Sequence, residues 1–72
     1  MAVAKGRIGN NIKALRTAAG LSQEALALRV GATRQTINAI EQEKYAPSLE
    51  LAFRIAREFG VGFEEVFQFS LD

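Results

Sequence analysis

Glycines and hydroxyl residues punctuate this chain so regularly that few folds remain open to it. Gly20, Gly31 and Gly60 each follow a run with helical periodicity, where a C′ residue of positive φ belongs. Ser22, Thr33 and Ser48 each precede such a run, where a side-chain oxygen accepts from the free N–H groups of a first turn. None of the three has Glu or Gln three residues on, so these caps act without a capping box. The apolar spacing between the stops is helical. Ile8, Ile12, Leu15 and Ala19 form one stripe of a first helix ending near Ala18. Leu26, Ala27 and Val30 mark a second helix, and Ile37 and Ile40 a third. Ala52, Ile55, Ala56 and Phe59 mark a fourth, behind the only proline, Pro47. Gly62 opens a fifth, with Glu64 and Glu65 in its first turn and Val66 facing in. The expected fold is all-α, five helices with tight links. At the ends the period changes to two. Phe67, Phe69 and Leu71 alternate with polar residues, and Val3, Lys5 and Arg7 alternate near the start. A short strand from each terminus can pair into a ribbon, which needs the helices for support.

The rest of the composition bounds the chemistry. At 72 residues the chain is one domain, 1–72. A chain of this size buries only about 60% of its unfolded surface, so it depends on dense packing or a partner subunit. It has no cysteine and no histidine, which removes disulfides, thiolate ligands and the commonest general base. No metal site, cofactor or small-molecule substrate is implied. Glu64 and Glu65 are adjacent acids, but neighbouring side chains on a helix diverge. A chain this small has no room for an enclosed pocket of about 300 Å³, so an enzyme is not expected. No apolar run is long enough to span a membrane, and the first residues lack a signal-peptide core. A cytoplasmic location is expected. The net charge is only +1, but it is unevenly spread. Residues 1–47 hold seven bases and three acids, whereas 48–72 hold two bases and five acids. The basic part is the one suited to a polyanion.

Only Gly31, Ala32 and Thr33 separate the second and third helical runs. So short a link, opening on glycine, makes a helix-turn-helix over about 22–42. The second helix of such a unit fits a major groove about 12 Å wide. Ile37 and Ile40 anchor one face of it, while Arg34, Gln35, Thr36 and Asn38 offer the other face. Arginine pairs with guanine, glutamine and asparagine with adenine, and a threonine methyl meets that of thymine. From Thr33 to Ile40 there is no carboxylate, whereas an ordinary exposed helix face alternates Glu and Lys.

These residues resemble the phage repressor and Cro type of helix-turn-helix DNA-binding domain, often called the XRE family. The likeness runs over residues 7–67. It is carried by Leu21-Ser22-Gln23, Gly31, Arg34-Gln35-Thr36-Ile37, Ile40-Glu41, Lys44-Tyr45 with Pro47-Ser48-Leu49, and Ala56 with Phe59-Gly60-Val61. The short stand-alone members are the most similar. The resemblance implies double-stranded DNA as partner, with base contacts from Arg34, Gln35, Thr36 and Asn38, and Ala39 offering only a methyl. It implies phosphate contacts from Gln23, which also braces the recognition helix, and from Thr33, Lys44 and Tyr45, to which Lys13 adds a cation on the first helix. It also implies a structural ion pair between Arg16 and Glu41. Three positions depart from the pattern. Glu43 stands where glycine is usual, Leu28 where a charged residue is usual, and Gly62 where a serine or threonine cap is usual.

All five phenylalanines follow residue 52, more rings than one end of a small core encloses. Phe53, Phe63, Phe67 and Phe69, in the region 53–71, are therefore expected at a symmetric partner surface. A homodimer would set two recognition helices about 34 Å apart on a near-palindromic operator, most simply as a repressor. The alternative is an antitoxin or antirepressor, with the same fold and a different protein on the aromatic end.

Overall fold

In the computed structural model, which describes residues 6–71, five helices pack beside a two-stranded antiparallel ribbon. In chain order the elements are β1 (Gly6–Asn10), α1 (Ile12–Ala18), α2 (Gln23–Val30), α3 (Arg34–Glu41), α4 (Leu49–Phe59), α5 (Phe63–Val66) and β2 (Phe67–Leu71). No helix among the described residues is long and apolar enough to cross a membrane.

The three hydroxyl caps are made. Ser22 Oγ accepts from Ala25 N at 3.0 Å, Thr33 Oγ1 from Thr36 N at 3.1 Å and Ser48 Oγ from Leu51 N at 3.2 Å. Gly62 has no side chain to offer. Its own N–H donates to the Glu65 carboxylate at 2.7 Å, which opens the four-residue α5.

One element departs from the periodicity. Ile8 sits on β1 opposite Phe69, outside the α1 stripe to which its spacing assigned it. The chain turns at Asn10 and Asn11. Asn10 Oδ1 accepts from Ile12 N at 3.1 Å, and Asn11 N donates to Val66 O at 2.8 Å. Gly6 and Gly9, both poor in a helix, lie upstream. A Cβ on Gly6 would collide with the Phe69 ring, so the ribbon folds that ring over the bare backbone. Val3 and Lys5, part of the alternation expected to form the strand, lie outside the described residues.

The core is Ile12, Leu26, Val30, Ile37, Ile40, Ile55 and Val66, filled in by Ala27, Ala52, Ala56 and Phe67. Phe67 differs from expectation. It is the first residue of β2, directly after α5, and is only 6% exposed. It therefore closes the domain's own core and has little surface left for a partner.

Asn10 also carries the ribbon to the functional end. Its Nδ2 donates to Ile40 O at 2.8 Å, at the last turn of α3. One side chain thus holds the first N–H of α1 and ties β1 to α3. Asn10→Ala removes both bonds and is expected to cost about 1–3 kcal/mol. At about 4–8 °C per kcal/mol for a domain of this size, the loss is readable in a thermal melt followed by circular dichroism. An unchanged melting temperature would mean that the ribbon does not support the helices.

Candidate nucleic-acid interface

Between α2 and α3 the chain reverses in three residues. Gly31 takes φ 75°, a left-handed turn that a β-carbon resists, and Ala32 N donates back to Ala27 O at 2.9 Å. Thr33 then caps α3. Ile37 and Ile40, 0% and 1% exposed, root the helix in the core and turn its other face outward. Arg34, Gln35 and Asn38 are exposed there. Thr36 is half-buried, and its hydroxyl lies 3.0 Å from that of Thr33, so its polar atom is already engaged.

The angle of α3 is held by a charged clamp. Arg16 Nε and Nη2 donate to the two Glu41 oxygens at 2.8 and 3.1 Å, and Nη1 donates to Leu21 O at 3.1 Å. The side chains are 13% and 7% exposed. The hydrogen bond to Glu41 raises the Arg16 pKa, against burial, so the guanidinium stays charged. The clamp joins α1, the α1–α2 turn and α3. Gln23, first residue of α2, adds bonds from its Nε2 to Glu41 Oε1 and to Asn38 Oδ1, both at 3.2 Å. Gln42 Nε2 reaches the same Asn38 oxygen at 3.3 Å. The roles of Asn10 and Gln42 were not legible in sequence. The doubled asparagine before α1 was the only local sign, and it does not name the carbonyl that Asn10 would meet.

The cations divide into two sets. Arg16, Arg29 and Arg54 pair with Glu41, Glu58 and Glu50. Arg34, Lys44 and Lys13, with Arg7 on β1 and Arg57 on α4, make no ion pair among the described residues, and all are exposed. Tyr45, beside Lys44 in the loop after α3, is 51% exposed. Lys13 lines a shallow hollow with Asn10, Thr17 and Glu41, so α1 reaches the C-terminal end of α3.

The loop after α3 contains an exception. Lys44 N donates to Ala39 O and Glu43 N to Ile40 O, both at 2.9 Å, which is the Schellman closure. Glu43 occupies the left-handed position with φ 61°, where a side chain costs about 1–2 kcal/mol. The conformation is thus the one glycine would take, imposed on a glutamate. Glu43→Gly is expected to raise stability by about 0.5–1 kcal/mol, after the greater freedom of the unfolded chain is subtracted. A fall in melting temperature would show that the carboxylate makes a stabilising contact.

Away from this ridge an open apolar groove of about 760 Å³ runs between the ribbon, α4 and α5. Ile8, Leu49, Phe63, Phe67 and Phe69 line it, and no residue of α2 or α3 does. It is larger than the sequence suggested for so small a chain, because Ile8 and Phe69 of the ribbon wall one side. It is a surface groove and holds no catalytic constellation. Among the described residues no group of three His, Cys, Asp or Glu side chains can hold a metal ion. Leu28 stands alone on α2, 79% exposed.

The helix-turn-helix family profile matches residues 12–66. The chain is 51% identical over 63 residues to an uncharacterised HTH-type transcriptional regulator of Methanocaldococcus jannaschii, covering 88% of this chain and 96% of that one. It is 50% identical over 58 residues to the uncharacterised HTH-type transcriptional regulator YgzD of Bacillus subtilis, covering 81% and 88%. Among solved structures it is similar to the restriction-modification controller protein C.AhdI from Aeromonas hydrophila, with TM-score 0.70 and 33% identity over 75% of this chain and 78% of that one. Profile, relatives and the capped turn with its outward ridge agree: the chain belongs to the helix-turn-helix family, as an XRE/Cro-like, sequence-specific DNA-binding transcriptional regulator and not an enzyme.

Proposed function

We propose that the protein works as a homodimeric repressor in the cytoplasm, occupying a near-palindromic operator with one α3 in each half-site. The observation that carries the dimer is the apolar face left open on one chain. Leu49 is 68% exposed, Phe53 50%, Phe69 67%, Leu71 64% and Ile8 45%. Phe53 packs against Phe63 with ring centroids 5.0 Å apart and planes tilted by 51°, which continues this face into the groove. An exposed apolar area of this kind calls for a partner. A second copy satisfies it symmetrically and leaves α2 and α3 free. Arg34, Gln35 and Asn38 then set base preference, while Lys13, Thr33, Lys44, Tyr45 and the main-chain N–H of Gln23 supply contacts to the phosphates, since both side-chain N–H groups of Gln23 are held by Glu41 and Asn38. The similarity to a restriction-modification controller protein supports a regulatory role.

Sedimentation and operator binding test this together. The full chain should sediment at twice its chain mass. Phe53→Glu with Phe69→Glu should give folded monomers that bind a two-half-site operator at least about 100-fold more weakly. A wild-type monomer at all concentrations, or a stable complex with a different protein in place of the self-dimer, would replace the dimer by the antitoxin-type reading.

A further inference from the structure

The hydrogen bonds around Asn38 have a polarity, and only one assignment satisfies them. Both Glu41 oxygens accept from the Arg16 guanidinium, so Glu41 faces its neighbours as an acceptor. A Gln23 side chain 3.2 Å from Glu41 Oε1 must therefore present its NH2 group. The same nitrogen lies 3.2 Å from Asn38, so Asn38 must answer with its oxygen. Gln42 Nε2, 3.3 Å from that oxygen, reinforces the choice with a second donor. What remains for the solvent side is the Asn38 NH2, one turn beyond Arg34 on the exposed face of α3.

We infer that Asn38 is held as a donor-only reader of one base pair in each half-site. Gln23 and Glu41 fix that choice without touching the base, as positioning residues. The inference rests on the DNA-binding reading of α3 and refines it. A free asparagine pairs with adenine through one donor and one acceptor. With its oxygen engaged, Asn38 cannot accept from adenine N6. It can donate to guanine O6 or N7, to thymine O4 and to adenine N7. Cytosine presents only its N4 donor in the major groove, so donor would face donor there. The expected order for the contacted base is guanine first, with two acceptors, then thymine and adenine with one each, and cytosine last. The charge of a half-hidden ion pair is in this way converted into a base preference at the surface.

The test starts with selection of bound sites by the full chain from a randomised duplex pool. Each position of the recovered half-site is then varied through all four base pairs. Wild type should bind the cytosine variant about tenfold more weakly than the guanine variant at one position. Asn38→Ala should level that position alone. Gln23→Met combined with Gln42→Ala removes both donors from the Asn38 oxygen and lets the amide turn over, and adenine should gain there. Asn38→Asp keeps both internal bonds but shows an acceptor to the groove, so the order should invert toward cytosine. Thermal melts of each variant establish that it is folded, and Asn38→Asp at an exposed site carries the test if the double variant is not. Adenine as the preferred base in wild type, or a preference unmoved by the double variant and by Asn38→Asp, would overturn the inference while leaving DNA binding intact. Recovery of no bound duplex would instead strike the DNA-binding reading itself.

Discussion

Replacing Glu41 by alanine is expected to remove about 3–5 kcal/mol of folding free energy. A small domain has roughly 5–15 kcal/mol in all, so this one variant takes the chain close to its threshold. The reason lies in what stays behind. Arg16 is 13% exposed, and its pKa is raised, chiefly by the hydrogen bond to Glu41, so the variant keeps an enclosed cation without its acceptor. Gln23 loses an acceptor at the same time. The pair as a whole is worth less than that loss, because both charges had to leave water to form it. Arg16→Met combined with Glu41→Leu should therefore recover most of the stability that Glu41→Ala loses. At about 4–8 °C per kcal/mol, the single variant should melt more than about 12 °C lower. Thermal and urea unfolding followed by circular dichroism measure both. If Glu41→Ala melts within a few degrees of wild type, the clamp is solvated and does not set the angle of α3.

What could be read from sequence follows from the range of the forces involved. The caps at Ser22, Thr33 and Ser48 act within three residues, so residue type and spacing were enough to find them. Ile37 and Ile40 announced the buried side of α3 by a three-residue step, and the exposed side followed as its complement. The ribbon was legible as an alternation, but its first strand runs on past Arg7 to Asn10. Ile8 has helical spacing to Ile12, and only pairing with Phe69, 61 residues away, decides against the helix. Phe67 was misplaced for a related reason. The number of rings predicts a surplus but cannot say which ring closes the core. Gln23 as a brace of α3 followed from the resemblance, but the polarity of the amide relay was the least accessible feature. Gln23, Asn38 and Gln42 are each ordinary polar residues, and their polarity is set by Arg16 on another helix. Glu43 was visible as an anomaly, since it stands where glycine is usual. That the loop keeps its left-handed turn regardless shows how strongly the closure onto Ala39 and Ile40 holds.

Arg34→Ala should move stability and DNA binding in opposite directions. The helices α2 and α4 place an acid in the first turn and a base in the last, in line with their dipoles. In α3 the first turn has no acid, the last turn has no base, and the helix opens on Arg34. A cation there faces the positive end of the dipole, at a cost of about 0.3–1 kcal/mol to the free domain. No carboxylate among the described residues pairs with Arg34. Local folding therefore gives no reason for this residue, whereas a guanine edge or a phosphate does. Removing it should leave the melting temperature unchanged or raise it by a few degrees. Discrimination at one operator base pair should at the same time collapse by about 1–3 kcal/mol, roughly 5- to 150-fold. A salt series separates the two possible contacts. Loss of preference at one position identifies a base edge. An equal loss on every sequence, with the salt slope shallower by about one, identifies a phosphate and removes Arg34 from the readers. A marked fall in melting temperature would show that Arg34 supports the fold instead, and the unpaired cation at the head of α3 would no longer point to DNA.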